Sequence, residues 1–346
     1  MSKNFLTCSL MLLALAVFSV SFAAFSPGQP TMILAHNTYP DQNRIDRALA
    51  TGTPLAMEID LSWVPNPKTG KNGSIVGDVS PARIKDLTGN EPALKQFFFE
   101  HMRPFVEKAL KENNKKSWPL VRLYLDIKND PAEHLEFLWS LLGEYENWLT
   151  TAVKTKNAAD QSPLDLKPLL VMLEDKDNDI KEEYFYNKVT VGGKLRAFGT
   201  AKVAMLPPGT ATTGLNAKQI LYMRYKMKPE ELVTEHASNY RRWWGMPWDA
   251  VEQGAKSAAG AWTPEKEARL NALVKYAHKM GYLTSFWVLD GCDPEVAKRN
   301  GWGQNYNFGS LEAGTIRWKA AIKAGADFIS TDQYEEVAKL TKSSIN

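Results

Sequence analysis

Two carboxylates in the stretch "AMEIDLSW" point to the chemistry this chain can do. Alternate side chains of an extended segment share a face, so Glu58, Asp60 and Ser62 project together while Met57, Ile59 and Leu61 face the other way. The backbones of the two acids then stand roughly 6.5 to 7 Å apart, close enough for both to grip one hard cation. The same residue types also serve as ion-pair partners for lysine or arginine, or as helix caps. The stretch "LYLDIK" repeats the arrangement, with Asp126 and Lys128 on one face and Leu125 and Ile127 on the other. Three carboxylates beside an ammonium suit a metal-assisted phosphoryl site, where the metal and the lysine share the negative charge that develops on the phosphorus oxygens. A salt bridge at a barrel end is the plainer alternative for Asp126 and Lys128.

A third group stands in "LAHNTYPDQN", where His36, Asn37 and Tyr39 follow a short apolar run. A plain turn needs only glycine or proline. An imidazole, a carboxamide and a phenol at that place suggest a site built where a buried strand becomes a loop.

These residues need elements to hold them. Short β-branched and apolar runs alternate with helix-length segments, the pattern of parallel βα units. The candidate strands are 32–36, 54–63, 74–77, 119–128, 168–174, 201–206, 220–227, 283–290 and 326–331, one more than a barrel of eight requires. One of the two middle candidates is then an excursion. Between them, apolar residues recur at three- and four-residue steps from Glu91 to Lys111, through Leu94, Phe97, Phe98, Met102, Phe105, Val106 and Ala109. A second helix is expected over 265–280, starting at Thr263-Pro264 and stopping at Gly281, and a third around 312–324. A single (β/α)8 TIM barrel in the α/β class is the economical architecture, with its site at the carboxyl ends of the strands.

The first residues stand apart from this fold. "MSKNF" and the apolar run that follows it, with Ser21 and Ala23 as small residues before a cut, read as a secretory signal over 1–23, leaving 24–346 as one barrel domain. The mature chain is expected to be secreted or periplasmic, with Cys292 as its one cysteine and no disulfide. A formal net charge of +3 spread without stripes gives nucleic-acid binding no support.

The order of these motifs is similar to a known pattern. "HNTY" followed by "EID" at 58–60 resembles the start of the PI-PLC-like phosphodiesterase superfamily, which includes phosphoinositide-specific phospholipases C, glycerophosphodiester phosphodiesterases and the sphingomyelinase D group. "DIK" at 126–128, "SFWVLDG" and "AGADFISTDQYE" resemble later strands of the same group, and "RRWWGMPWDAVEQG" and "GWGQNYNFGSLEAGTIRW" are similar to a branch of mostly uncharacterised relatives. The resemblance implies that His36 is a general acid/base, that Asn37, Glu58, Asp60 and Asp126 bind Ca²⁺ or Mg²⁺, and that Lys128 contacts the phosphate. It places Trp287 over the site and Asp332 at the tip of the closing strand. The implied substrate is a phospholipid head group or glycerophosphodiester, with peripheral membrane contact as a further expectation.

One departure stands out. Enzymes of this kind usually carry a second histidine soon after the third strand, where this chain reads "SIVGDVSP". Asp78 is the candidate replacement, and as a proton donor it needs burial or neighbouring carboxylates to raise its pKa. His101, His134, His236 and His278 lie in expected helices or their flanks. Arg241 and Arg242, beside Trp243, Trp244 and Trp248, could meet a phosphate and a sugar or lipid surface, or the tryptophans could cover the barrel mouth. The alternatives are a non-catalytic phosphate or head-group binder without the second proton donor, and a glycoside hydrolase barrel working through two carboxyls without a cation.

Overall fold

The computed structural model describes residues 29–343 except 175–178, 205, 208, 212, 253–259 and 303–306. The expected signal segment, part of the acidic run after Glu174 and part of the phrase beginning at Gly301 lie outside the described residues.

The strands in chain order are β1 (Met32–Ala35), β2 (Leu55–Pro65), β3 (Asn72–Val76), β4 (Val121–Ile127), β5 (Thr151–Val153), β6 (Leu164–Asp165), β7 (Leu169–Leu173), β8 (Lys194–Leu195), β9 (Phe198–Thr200), β10 (Arg241–Pro247), β11 (Leu283–Trp287) and β12 (Phe328–Thr331). Eight of them pair in parallel in the order β1-β12-β11-β10-β9-β7-β4-β2, and β1 pairs back onto β2. The sheet is therefore closed, a (β/α)8 barrel. β3 folds back antiparallel on the long β2, and β5, β6 and β8 form a small separate sheet.

Four sequence expectations change, the first being the run 74–77, expected as a barrel strand, which is β3 and lies outside the closed barrel. The run 220–227 is helical, part of the helix Ala217–Lys226, whose start is held by Asn216 and Gln219 bonding reciprocally to each other's backbone N–H groups. The strand expected at 201–206 lies just earlier, as β9. The remaining barrel strand is β10, in the tryptophan-rich segment outside the expected strands. Gly245 belongs in that strand because a Cβ there would meet the Trp243 ring at 2.9 Å.

Trp243, Trp244 and Trp248 are fully buried. Trp243 packs edge-on against Tyr124 of β4, at 5.1 Å between ring centroids. Trp244 and Trp248 belong to a second apolar cluster, with Leu270, Leu273, Val274 and Ala277 of the helix Pro264–Lys279. That helix starts at its Thr263 cap as its sequence predicts, and the helix Leu311–Ala324 ends at Gly325 with φ +79°.

Candidate active site at the barrel mouth

The period of two along each strand carries the polar residues to one place. On β2, Glu58 and Asp60 share a face, and Asp60 sits directly beside Asp126 of β4. Glu174 comes next along the same row, its N–H donating to the carbonyl of Leu125 on β4. His36 follows β1, Trp287 ends β11, and Asp332 follows β12, so these side chains gather at the carboxyl ends of the strands.

One oxygen from each of Glu58, Asp60 and Asp126 lies within 4.8 Å of the others, and all three residues are buried. Oxygens on opposite sides of a bound calcium stand roughly 4.6 to 5.2 Å apart, so the spacing fits one such ion. Asp60 Oδ1 is buried with no hydrogen-bond partner among the described residues. Its other oxygen accepts from the Tyr39 hydroxyl at 2.5 Å.

The cup is short of positive charge. Burial, reinforced by Asp60 and Asp126 and opposed by His36, pushes Glu58 up to about 7. Burial also raises Asp60, against the pull of Lys128. The Lys128 ammonium bridges the two aspartates, 2.8 Å from Asp60 Oδ2 and 2.8 Å from Asp126 Oδ2. Burial disfavours that ammonium, but Asp126 and Asp60 outweigh it and hold its pKa above the ordinary lysine value. Lys128 takes one oxygen from each aspartate, and among the described residues no lysine bonds to Asp60 Oδ1 or to the Glu58 carboxylate. The carboxylate donor set, its spacing and the orphaned oxygen together fit a hard divalent cation.

His36 stands at the edge of the cup. Its Nε2 lies 3.4 Å from Glu58 Oε2 and its Nδ1 lies 3.2 Å from Asp332 Oδ2. Burial works against the imidazolium, but Glu58 and Asp332 overcome it, with Asp290 behind them, and raise His36 to about 10. The ring is held by its own backbone turn. Asn37 adopts a left-handed φ of 51°, which asparagine tolerates better than most residues, and its N–H points at Glu58 Oε2 at 3.3 Å. Tyr334 Oη donates to the His36 carbonyl at 2.5 Å and Arg44 to the Asn37 carbonyl at 3.0 Å, while Thr38 bonds to the Glu58 carbonyl. The Asn37 carboxamide nitrogen lies 3.0 Å from His36 Nδ1.

Sequence reasoning missed several of these partners. Asp290 is fully buried and pushed up to about 7 by burial and by Asp332, with one oxygen accepting from Thr331 Oγ1 and the Asp332 N–H. Asp290 and Glu174, like Asp332, stand just past an apolar strand, and that position was the available signal. Tyr334 and Arg44 carried none, because their roles are backbone contacts made across the fold.

One expected site residue falls elsewhere, and another stands at the rim. Arg241 is buried and paired with Glu182 at 2.7 Å and Asp179 at 3.0 Å, and it also donates to the Thr200 carbonyl at 2.7 Å. Its guanidinium holds β10 to its neighbours and does not present itself to a substrate. Asp78 does reach the mouth, 4.0 Å from Lys128, with its side chain 59% exposed. Trp287 is half-buried at the mouth. Of the other histidines, His101 pairs with Asp46, His134 with Ser74 and the Asn129 carbonyl, and His278 with Asp327, while His236 is exposed.

No family model and no curated protein matches the chain. Among solved structures it is similar to a glycerophosphoryl diester phosphodiesterase from Parabacteroides distasonis, at 14% identity over 94% of this chain and 90% of that one, with a TM-score of 0.44. A calcium-dependent phosphoinositol-specific phospholipase C from a Pseudomonas species is similar at 12% identity over 92% and 93%, with a TM-score of 0.46. A glycerophosphodiester phosphodiesterase from Agrobacterium tumefaciens is similar at 12% identity over 89% and 99%, with a TM-score of 0.37.

Proposed function

We propose that this chain is an exported, metal-dependent phosphodiesterase acting on a phospholipid head group or a glycerophosphodiester. The observation that carries the proposal is the meeting of three buried carboxylates within 4.8 Å of one another, with the imidazole of His36 against one of them. Glu58, Asp60 and Asp126 would hold Ca²⁺ or Mg²⁺, with Asn37 at the edge of the same cup. When bound, the cation draws charge from the phosphoryl oxygens and lowers the pKa of an attacking hydroxyl or water.

The chain's own residues do the rest. Lys128 would present an ammonium to the phosphoryl group from beside Asp60 and Asp126. Asp332 orients the imidazole through Nδ1, and Nε2, which faces Glu58 at 3.4 Å, is the edge that would move the proton between nucleophile and leaving oxygen. Tyr39 keeps one oxygen of Asp60 occupied and so limits which oxygen is left for the cation.

A second reading has its own support. With Asp78 exposed, the place where the second histidine is expected carries no buried acid, as in a protein that binds phosphate or a lipid head group without turnover. Hydrolysis of glycerophosphodiesters, phosphoinositides and an aryl phosphodiester, each with calcium, magnesium or chelator, separates the two. Cation-dependent turnover supports the enzyme. Tight cation binding with no turnover on any of these substrates would replace it with the binder.

A further inference from the structure

The two oxygens of Asp60 are treated unequally. Oδ2 accepts from the Tyr39 hydroxyl at 2.5 Å and lies 2.8 Å from the Lys128 ammonium, while Oδ1 is buried with no hydrogen-bond partner among the described residues. A carboxylate oxygen has two lone-pair directions, so two donors fill Oδ2 and a cation is left with Oδ1 alone. Glu58 is engaged on one side as well, its Oε2 facing the Asn37 N–H at 3.3 Å and His36 Nε2 at 3.4 Å.

Tyr39 is fixed where it can do this. Thr38 bonds twice to the Glu58 carbonyl, through its N–H at 3.1 Å and its Oγ1 at 2.6 Å, which ties the residue before Tyr39 to β2 two positions short of Asp60. The Tyr39 ring packs against the apolar core of the barrel. Its hydroxyl therefore arrives on a held ring and not on a swinging arm.

Cations differ in what they ask of a carboxylate. Calcium gathers about six to eight oxygens in a loose shell and often grips a carboxylate by both, whereas magnesium builds a tight octahedron, keeps several waters and takes single oxygens. Holding Asp60 to one oxygen therefore costs calcium more than magnesium.

We infer that Tyr39 is a selectivity residue of the cup, its hydroxyl keeping Asp60 to a single ligating oxygen and so disfavouring calcium relative to magnesium. The inference rests on the metal-dependent reading above and adds the side chain that sets the choice of ion.

Calorimetric titration of the full chain, stripped of metal by chelator, with Ca²⁺ and Mg²⁺ in separate runs tests it. In Tyr39→Phe the ratio of calcium to magnesium affinity should rise by about tenfold, the scale of a lost hydrogen bond to a charged group. Tyr39→Met, which keeps an apolar body without the hydroxyl, should shift the ratio the same way. Tyr334→Phe removes a hydroxyl that bonds to the His36 carbonyl and not to Asp60, and should leave the ratio as in wild type. If both ions still bind Tyr39→Phe with the ratio unchanged, the inference is overturned and the cup stands. An equal loss for both ions also overturns it, by making Tyr39 a ligand or a wall of the cup. Wild-type protein that binds neither ion fails the metal-dependent reading itself, and the inference falls with it.

Discussion

His36 and Asp332 lie near opposite ends of the chain, yet His36 Nδ1 and Asp332 Oδ2 are 3.2 Å apart because β1 and β12 are neighbours in the closed barrel. The carboxylate both charges the ring and sets its orientation. Asp332→Asn is expected to lower kcat by about ten- to a hundredfold with KM little changed, since removing the charge loosens the proton's placement without touching the cup. An unchanged kcat would remove Asp332 from the mechanism.

His36→Gln should cost more, on the order of 10² to 10⁴ in kcat, the range of a lost general acid/base. Calcium binding, measured by calorimetry, should persist in this variant. Loss of both together would mean that His36 builds the cup and does not serve the proton.

Asp60→Asn and Asp126→Asn should each weaken calcium binding by about tenfold or more, because each removes a charged ligand from a set of three. The two variants should also release Lys128 from one of its 2.8 Å contacts. Wild-type affinity in both, by calorimetry, would dismiss the carboxylate cup as a cation site.

Stability without metal should fall as pH rises. Glu58 and Asp290 both stand near 7 in the folded protein, above their ordinary values, so each contributes stability that is full below pH of about 4.5 and 3.8 respectively and is lost as pH climbs through about 7. His36, raised to about 10, adds in the same direction between about 6.5 and 10. The Tm in chelator is therefore expected to decline from pH 5 to pH 8, and saturating calcium should restore about 2 to 3 kcal/mol at 100 times its Kd. A metal-free Tm that rises over that interval contradicts the charge balance described for the mouth.

Asp78→Ala and Arg241→Met form a contrasting pair. Asp78, exposed at the rim, is expected to change Tm by less than about 1 °C and kcat by less than about tenfold. A hundredfold drop would instead make it the second proton donor. Arg241→Met leaves Glu182 without its buried partner and should cost on the order of 2 kcal/mol or more in denaturant unfolding, with KM unchanged. A raised KM at full stability would return Arg241 to the substrate.

Much of this molecule was legible in one dimension, because its rules are local. A period of two put Glu58 with Asp60 and Asp126 with Lys128, and a period near 3.6, with Thr263 and Gly281 as its limits, marked the helix Pro264–Lys279. The misreadings were also local ones. "ILYMRYKM" has the apolar density of a strand, but the Asn216–Gln219 cap just ahead of it starts a helix. "RRWWGMPW" holds Gly245 and Pro247, residue types that interrupt a strand pattern, although that glycine is the space Trp243 fills.

Tertiary structure decided which strand tips meet. Side-chain parity says which face a residue takes, but the neighbours on that face depend on the register and tilt of eight strands closing at once. Only that closure set Asp60 beside Asp126, carried Asp332 to His36, and turned Arg241 into a buried strut while leaving Asp78 in solvent. The residue types that can bind a cation were written along the chain, and their convergence came from packing.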